Sequence, residues 1–290
     1  SGTFAVVTGQ QVGLLSGPAF TLYKALTAVR LAEDLNSKGL PCVPVFWLAT
    51  EDHDLEEVAR TVTLNDEYEA IPLSDPGERP APRASVGHVK LSSGIEGALT
   101  MLEDALPPGE IRERLLADLR ACYRPGVTWS HAFGCLIARL FGRWGVVLLD
   151  PLDADVARLS AEVYERSLIQ AADLRARLLD RSQALVRSGY HAQVHVGDES
   201  TLFFLTVDSN RSPVSQQGSG FLVDGAAETS LAGLQTRLQS QPLDFSPNVL
   251  LRPIVKDTLL TTVAYVAGPS EHAYLGQAQT KEPDPNSPVF

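Results

Sequence analysis

The first fifty residues alternate between strand and helix patterns, and this alternation constrains the fold more than any other feature of the sequence. Residues 4–8 form a short apolar run, typical of a buried strand, that ends at Gly9. Pro18 stands where proline fits best, at the start of a helix, and this helix is expected to stop at 38–39. A second apolar strand follows over 43–49. Strand, helix and strand in this order predict a βαβ unit with a right-handed crossover, and therefore an α/β fold.

The rest of the chain predicts further helices and strands. Helices are expected near 111–122, 130–143, 153–188 and 231–238, with a last one after the capping residue Ser270, and buried strands over 146–149, 249–255 and 262–267. We also expect an exposed loop over 73–83, a hairpin that pairs 190–196 with 201–207, and a mobile loop over 212–220. Asp153 is expected to cap the long helical stretch. These elements outline a sheet flanked by helices, with less regular segments between them.

Composition narrows the class of protein. Hydrophobic residues make up 44% and charged residues 20%, which is typical of a globular protein and not of a disordered one. The 35 acidic residues outnumber the 24 lysines and arginines, and the net charge of −11 disfavours binding to nucleic acids. The longest apolar run, 41–49, is too short to span a membrane, and the N-terminus does not resemble a signal peptide. Three widely spaced cysteines predict neither a zinc framework nor a disulfide scaffold, so we expect a cytoplasmic protein.

Four of the predicted strands end in polar sequences. These sequences are Thr8-Gly9-Gln10-Gln11, Glu51-Asp52-His53-Asp54, Asp150-Pro151 and Gly268-Pro269-Ser270-Glu271. In an open α/β sheet, ligands bind outside the carboxyl ends of the parallel strands, close to the N-termini of helices. If the four strands belong to one sheet, their ends line one crevice, which predicts a single active site.

The first of these sequences is not a known phosphate-binding motif. It lacks the Walker A pattern, and Gly9, Gly13 and Gly17 are four residues apart, unlike the glycines of GxGxxG. Its glycines and amides either bind a phosphate, carboxylate or adenine, or allow a turn to pack closely against the sheet. Lys24, in the following helix, is either a phosphate ligand or an ordinary solvated lysine.

The second sequence places four ionisable residues between a strand and a helix. A histidine beside carboxylates can act as a general acid or bind a triphosphate, which gives His53 a functional interpretation. The alternative is that Asp52 or Asp54 caps the helix, which explains the acids and leaves His53 unexplained. Asp150 similarly either binds a ribose hydroxyl or an ammonium group, or forms an Asx turn.

No resident metal site is predicted. His53 has no second histidine four residues away. His191 and His195 do have this spacing, but on a strand they would be ~13 Å apart and could not bind one zinc ion. Mg²⁺ carried in with a nucleotide is compatible with the acidic residues near His53.

Several blocks of sequence resemble the bacillithiol-synthesis cysteine ligase family (BshC). They are residues 6–14 with Gly17, Pro18 and Lys24, residues 44–54, residues 189–194 and residues 251–269, and they cover most of the chain from Ala5 to Gln277. The resemblance implies a Rossmann-like parallel sheet flanked by helices, a core similar to the class I nucleotidyltransferases. This core is expected over 1–280, with insertions at about 60–130 and 190–245 that include a β-hairpin, and with an irregular Pro-rich tail over 281–290.

The same resemblance implies a ligase that adds cysteine to glucosaminyl-malate in the last step of bacillithiol biosynthesis. ATP is expected because forming an amide from a free carboxylate is uphill in water, and either an adenylate or an acyl phosphate would serve as the activated species. The alternatives are a nucleotide- or sugar-binding module, or a nucleotidyltransferase or glycosyltransferase on the same fold. The resemblance suggests a homodimer, but the coiled coil of the family is not recognisable in this sequence.

Site residues follow from the strand ends and the resemblance together. The expected catalytic residues are His53, Gln10, Gln11, Asp52 and Arg252. The expected substrate- or nucleotide-binding residues are Thr8, Gly9, Gly13, Lys24, Glu51, Asp54, Asp150, Gln193, Asp257, Tyr265, Gly268, Pro269 and Glu271. Class I synthetases carry two histidines where this chain has Gln10 and Gln11, and amides supply no positive charge. The charge must therefore come from Lys24, His53, Arg252 or Lys256.

Overall fold

A computed structural model describes residues 2–279 of the chain, so the tail predicted over 281–290 lies outside the described residues. The chain divides into two compact units, which are described separately. The N-terminal unit spans 6–151, and the C-terminal unit contains 3–5 and continues from 152. No helix within the described residues is both long and apolar enough to cross a membrane.

The N-terminal unit contains the predicted βαβ unit. Its elements are β1 (Phe4–Gln11), α1 (Phe20–Ser37), β2 (Cys42–Ala49), α2 (Leu55–Val58), β3 (Arg60–Leu64), β4 (Ala70–Ser74), α3 (Gly94–Ala105), α4 (Glu110–Cys122), α5 (Trp129–Phe141) and β5 (Val147–Leu149). Strand β2 pairs in parallel with β5, with Val45 opposite Val147 and Trp47 opposite Leu149. Because β5 is an edge strand, Val147 is 49% exposed, and the prediction of a buried strand here is wrong.

Strand β1 continues three residues beyond its predicted end at Thr8. Gly9 is therefore part of the sheet, and the predicted glycine-rich turn over 8–11 is wrong. A Cβ atom on Gly9 would lie only 2.8 Å from the carbonyl oxygen of Trp47 in β2. Glycine is needed at this position because the backbones of two neighbouring strands approach each other closely.

The core of the N-terminal unit lies between the sheet and helices α3 to α5. Phe46 of β2 packs against Phe133 of α5, with ring centroids 6.0 Å apart, and both side chains are fully buried. The expected exposed loop over 73–83 is partly wrong, because Leu73 and Asp75 are buried. Asp75 Oδ1 accepts hydrogen bonds from the backbone N–H groups of Gly77 and Ser92, which satisfies this buried carboxylate oxygen locally.

A disulfide joins Cys122, at the end of α4, to Cys135 in α5. The sequence predicted no disulfide scaffold, and this single bridge was not expected. The two residues are 13 positions apart in sequence, but the packing of α4 against α5 brings their Cα atoms to 5.5 Å. The spacing of cysteines in a sequence does not reveal this proximity, since it arises from the packing of two helices. Cys42 is a buried free cysteine.

The C-terminal unit combines helices with an antiparallel sheet. Its elements are α6 (Ala154–Ile169), α7 (Ala171–Arg187), β6 (Ser200–Val207), β7 (Asn210–Gln217), β8 (Gly220–Val223), β9 (Ala227–Ser230), α8 (Leu231–Ser240), β10 (Phe245–Pro247), α9 (Arg252–Leu259), β11 (Thr262–Tyr265) and α10 (Pro269–Ala278). The predicted long helical stretch divides into α6 and α7 at Gln170. Asp153 caps α6 as predicted, accepting hydrogen bonds from the N–H groups of Asp155 and Val156.

The antiparallel sheet has the order β10-β6-β7-β8-β9. Residues 190–199 contain no strand, so the hairpin predicted from them is wrong, as is the mobile loop predicted over 212–220. The actual hairpin joins β6 to β7 through Asp208 and Ser209, whose φ angles are +48° and +63°. Two consecutive left-handed residues match the twist of a tight hairpin, and aspartate tolerates this conformation.

Two further predictions near the end of the chain need correction. The apolar segment 249–255 is not a strand, because α9 begins at Arg252 with Pro253 in its first turn. Helix α10 begins directly after Gly268, so Ser270 lies inside the helix and does not cap it. Within the C-terminal unit, the Ala5 N–H donates to the Thr261 carbonyl oxygen at 2.9 Å, just before β11. In the N-terminal unit, β1, β2 and β5 lie side by side in this order in a parallel sheet flanked by helices, as expected of a Rossmann-like fold.

Candidate functional site

The structure groups the predicted site residues into two sets, one in each unit. The first, which we name the sheet-end cluster, lies in the N-terminal unit and consists of Gly9, Gln11, Lys24, Asp52 and His53. The second, which we name the tyrosine pocket, lies in the C-terminal unit and consists of Lys256, Asp257, Tyr265, Glu271 and Tyr274. The convergence of all four strand ends on one crevice stays a prediction.

Gln11 holds the acidic turn that follows β2. Its Nε2 donates to Asp52 Oδ2 at 3.1 Å and to Glu57 Oε2 at 2.8 Å. One amide group thus contacts two carboxylates that would otherwise repel each other. Gln10 immediately precedes it, in the half-buried last part of β1.

Lys24 is buried, with 6% of its surface exposed, so the interpretation of a solvated helix lysine is wrong. Its Nζ donates to the Gly9 carbonyl oxygen at 2.6 Å and lies 5.5 Å from the ring centroid of Phe20. A buried ammonium group is costly unless it is hydrogen-bonded, and the Gly9 carbonyl provides such a bond. The sheet-end cluster therefore contains a fixed positive charge near the end of β1.

His53 lies beside Asp52 and is partly open to solvent. The distance from His53 Nδ1 to Asp52 Oδ1 is 3.6 Å, and the backbone N–H of His53 donates to the same oxygen at 2.8 Å. Residues 52–57 line an open cavity of about 380 Å³ together with Arg79 and Pro82. This imidazole can therefore exchange protons with a molecule that enters from solvent.

Two other acids of this region have structural partners. Asp54 caps α2, because its Oδ1 accepts a hydrogen bond from the Glu57 N–H at 3.2 Å. Asp150 accepts a hydrogen bond from Thr50 at 2.5 Å on one oxygen and another from Ser130 on the second. Asp150 thereby connects the ends of β2 and β5 to the start of α5.

The spacing of the glycines also has a packing explanation. A Cβ atom on Gly13 would lie 2.7 Å from the Cα atom of Gly17, and Gly17 has a φ of +67°. The two glycines contact each other across one short helical turn, Leu14–Ser16. The close packing considered as an alternative therefore accounts for Gly13. Thr8 and Glu51 are buried beside these segments.

The tyrosine pocket contains a continuous chain of hydrogen bonds. Lys256 Nζ donates to the Tyr265 hydroxyl at 2.9 Å, and this hydroxyl donates to Glu271 Oε1 at 2.9 Å. Glu271 Oε2 accepts from the Gly268 N–H at 2.7 Å. Lys256 is only 5% exposed. The chain therefore fixes a positive and a negative group on the two sides of one tyrosine.

Burial changes the acidity of the groups around this chain. It raises the pKa of Asp257 to about 6, although a hydrogen bond from Thr262 and the charge of Lys256 act in the opposite direction. Burial also raises the pKa of Tyr274 to about 12 and that of Tyr265 well above its usual value, while Arg252 partly opposes both shifts.

A cavity of about 170 Å³ lies against these groups. It is lined by Pro253, Lys256, Asp257, Thr262, Val263, Ala264, Tyr265, Tyr274 and Leu275. Tyr274 and Thr262 were not predicted as site residues. Tyr274 follows Glu271 by three positions on α10, and this spacing places both side chains on one face of a helix, which was the available signal. Gln193, by contrast, contacts His191 at 2.9 Å and is not among the lining residues.

Across residues 2–279, no group of three or more His, Cys, Asp or Glu side chains is arranged to hold a metal ion. His191 and His195 lie in a segment without a strand, so the separation of ~13 Å expected from strand geometry does not apply to them.

Comparison with known proteins identifies the family. A family model described as "Bacillithiol biosynthesis BshC, N-terminal Rossmann-like domain" matches residues 1–281. A relative from Koribacter versatilis, named "Putative cysteine ligase BshC", is 40% identical over 95% of this chain and 51% of its own length. A relative of the same name from Salinibacter ruber is also 40% identical, over 95% of this chain and 50% of its own length. The chain spans about half the length of the curated relatives it matches, and by these matches it belongs to the BshC family.

Proposed function

We propose that this chain is the catalytic domain of an ATP-dependent ligase that joins cysteine to glucosaminyl-malate in the last step of bacillithiol biosynthesis. Its family membership and the names of its relatives support a role in this pathway. The observation that carries the proposal is the buried Lys24, bonded to Gly9 near the end of β1. The resemblance to class I enzymes requires positive charge at this place, and Gln10 and Gln11 do not supply it.

The proposed reaction has two steps. First, the cysteine carboxylate attacks a phosphorus atom of ATP and becomes an activated acyl group, with either pyrophosphate or ADP as the leaving group. Second, the amine nitrogen of glucosaminyl-malate attacks the activated carbonyl carbon, and a C–N bond forms as the C–O bond to the phosphate breaks. The nitrogen loses its proton, and AMP or inorganic phosphate leaves with the electron pair.

Two side chains of the sheet-end cluster have proposed roles in these steps. Lys24 stabilises negative charge that develops on phosphate oxygens, because a fixed charge needs no reorganisation during the reaction. His53 lies beside Asp52 at the edge of an open cavity and exchanges a proton with the leaving phosphate or the attacking amine. Mg²⁺ would enter with the nucleotide in this scheme, and the protein would act in the cytoplasm.

A reconstituted reaction tests the proposal. The chain is incubated with ATP, cysteine and glucosaminyl-malate, and bacillithiol is detected by mass spectrometry. We expect product only when all three substrates are present. Binding of nucleotide without any product would contradict the ligase and favour the alternative of a binding module.

A further inference from the structure

The bridge between Cys122 and Cys135 has no part in the ligase chemistry proposed above. Its two sulfur-bearing residues differ in access, because Cys122 is 1% exposed whereas Cys135 is half-buried on α5. In the reducing cytoplasm that we propose for this protein, a disulfide is usually a redox-sensing bond and not a permanent one. The bridge is therefore suited to reversible exchange, with Cys135 as the residue that a small molecule reaches first.

Both bridged helices hold the same short turn, Leu14–Ser16, which follows β1. Tyr123 comes directly after Cys122 and is 2% exposed. Burial raises the pKa of Tyr123, and backbone groups of Ser16 and Leu15 partly oppose this shift, so the Tyr123 hydroxyl lies against the turn. Helix α5 packs against the same turn. The bridge therefore joins the two elements on which the turn rests.

The turn has a backbone conformation that most residues avoid. Leu15 has a φ of +51° and Ser16 a φ of +82°, and residues other than glycine rarely adopt this left-handed region. Such strain persists only where the surrounding packing fixes it, and it is typical of switch regions. The turn connects β1, which carries Gln11, to α1, which carries Lys24. A change in packing at the turn would thus reach the sheet-end cluster.

We propose that Cys122 and Cys135 form a redox-active pair, and that oxidation of this pair fixes the turn and, through it, the sheet-end cluster. The oxidant is a low-molecular-weight disulfide, RSSR. The Cys135 thiolate attacks one sulfur of RSSR and releases RS⁻, and the Cys122 thiolate then attacks Cys135 Sγ and releases the second RS⁻. The two protein thiols lose two electrons and two protons, which RSSR takes up as it becomes two molecules of RSH.

The meaning of this pair for the cell rests on the proposed function. A ligase that produces a low-molecular-weight thiol would be held in its ordered form when thiols of that class are oxidised. The exchange itself involves only the two cysteines, so it can be measured without any substrate of the ligase.

Exchange is tested by incubating the 290-residue chain with reduced and oxidised glutathione in varied ratio, alkylating the free thiols and counting them by mass spectrometry. We expect the pair to change from dithiol to disulfide within the range of glutathione ratios found in cytoplasm. Cys42, a buried cysteine outside the bridge, is the internal control and should remain a thiol throughout. A pair that stays in one state at every ratio would overturn the proposal.

Hydrogen exchange tests whether the pair controls the turn. The Gly17 N–H donates to the Leu14 carbonyl oxygen at 2.9 Å, and we expect this amide to exchange at least tenfold faster in the dithiol form. Strands β6 and β7 are the internal control and should exchange equally in both forms. Cys135→Ser should behave like the dithiol form at every glutathione ratio, whereas Cys42→Ser should respond like the unaltered chain. Equal exchange of the Gly17 amide in both forms would overturn the proposal.

Titration with ATP, without cysteine, tests the link to the sheet-end cluster. We expect the disulfide form to bind ATP at least fivefold more tightly than the dithiol form, because the turn beside the cluster is fixed only in the disulfide form. Equal affinities would overturn this link. If neither form binds ATP, the proposed function fails, and the thiol and hydrogen-exchange measurements still decide whether the redox pair exists.

Discussion

The sheet-end cluster and the tyrosine pocket contain similar residue types in different environments. In the sheet-end cluster, Gln11 and Asp52 bind each other, and the neighbouring cavity is open to solvent. In the tyrosine pocket, Asp257 Oδ2 is buried beside a small cavity and has no partner among the described side chains and backbone groups. The comparison shows that a conspicuous sequence motif does not by itself reveal which polar atoms the fold buries without a hydrogen-bond partner.

The largest effect is expected for His53→Ala, which tests the chemical role of the sheet-end cluster. Loss of one charge-stabilising donor typically costs ~2.7–4 kcal/mol of transition-state energy, so we expect ligation to fall more than tenfold. Gln10→Ala should also reduce it more than tenfold. Turnover is measured at saturating ATP and cysteine, and circular dichroism checks the fold. The exposed His131→Ala is the control. Near-normal turnover in both the Gln10→Ala and the His53→Ala variants would show that this cluster has no catalytic role.

Gly9→Ala tests whether the glycine of the sheet-end cluster is needed for packing. The added Cβ would meet the Trp47 carbonyl oxygen at 2.8 Å, so we expect the free energy of unfolding to fall by about 2 kcal/mol. Gly97→Ala is the matched control, because nothing lies within 4 Å of its added Cβ inside α3. It should raise stability by about 0.5–1 kcal/mol. Urea denaturation measures both, and equal stability of the two variants would contradict the packing explanation.

Asp257→Asn should stabilise the ligand-free chain, in contrast to the destabilisation expected at Gly9. Burial raises the pKa of Asp257 from 3.8 to about 6, so the unfolded chain ionises first and this carboxyl group lowers stability as pH rises from 4 to 6. The variant removes this loss, and we expect it to be more stable at pH 7.5 by about 1–2 kcal/mol after allowance for solvent screening. The difference should vanish below pH 4. A variant that is less stable at pH 7.5 would show that the hydrogen bond from Thr262 and the charge of Lys256 outweigh the cost of burying the carboxylate.

The smallest effect is expected for Asp54→Ala, which separates capping from chemistry within one motif. Asp54 accepts a hydrogen bond from the Glu57 N–H, and removing such a cap costs about 1 kcal/mol. Asp54→Ser keeps a capping oxygen and should restore most of the stability. Thermal melts of the two variants measure the difference. If serine does not restore stability, the carboxylate of Asp54 has a role other than capping.

Local patterns predicted the parts of the fold that depend on neighbouring residues in sequence. The first βαβ unit and the cap at Asp153 follow from hydrophobic spacing and capping chemistry, and the structure confirms them. The errors concern long-range pairing. The polar strand β7 is stable because it pairs with β6 and β8, and a window over 212–220 contains no information about these partners.

The candidate site shows the same limit. The sequence predicted His53 and Asp257 as site residues from strand ends and a family resemblance, and their roles stay predictions. It could not reveal that Lys24 is buried or that Asp257 Oδ2 lacks a partner, since burial depends on residues far away in sequence. Tyr274 was missed because the sequence does not reveal that α10 forms one wall of a cavity.

The central claim, that this chain activates cysteine through ATP, is tested most directly by following the carboxylate oxygen. Cysteine labelled with ¹⁸O in its carboxyl group is incubated with ATP, glucosaminyl-malate and the chain, and the products are analysed by mass spectrometry. The account predicts that one ¹⁸O atom is transferred to AMP if an adenylate forms, or to inorganic phosphate if an acyl phosphate forms. Bacillithiol produced with no ¹⁸O in either phosphate product would contradict activation of the carboxylate by ATP.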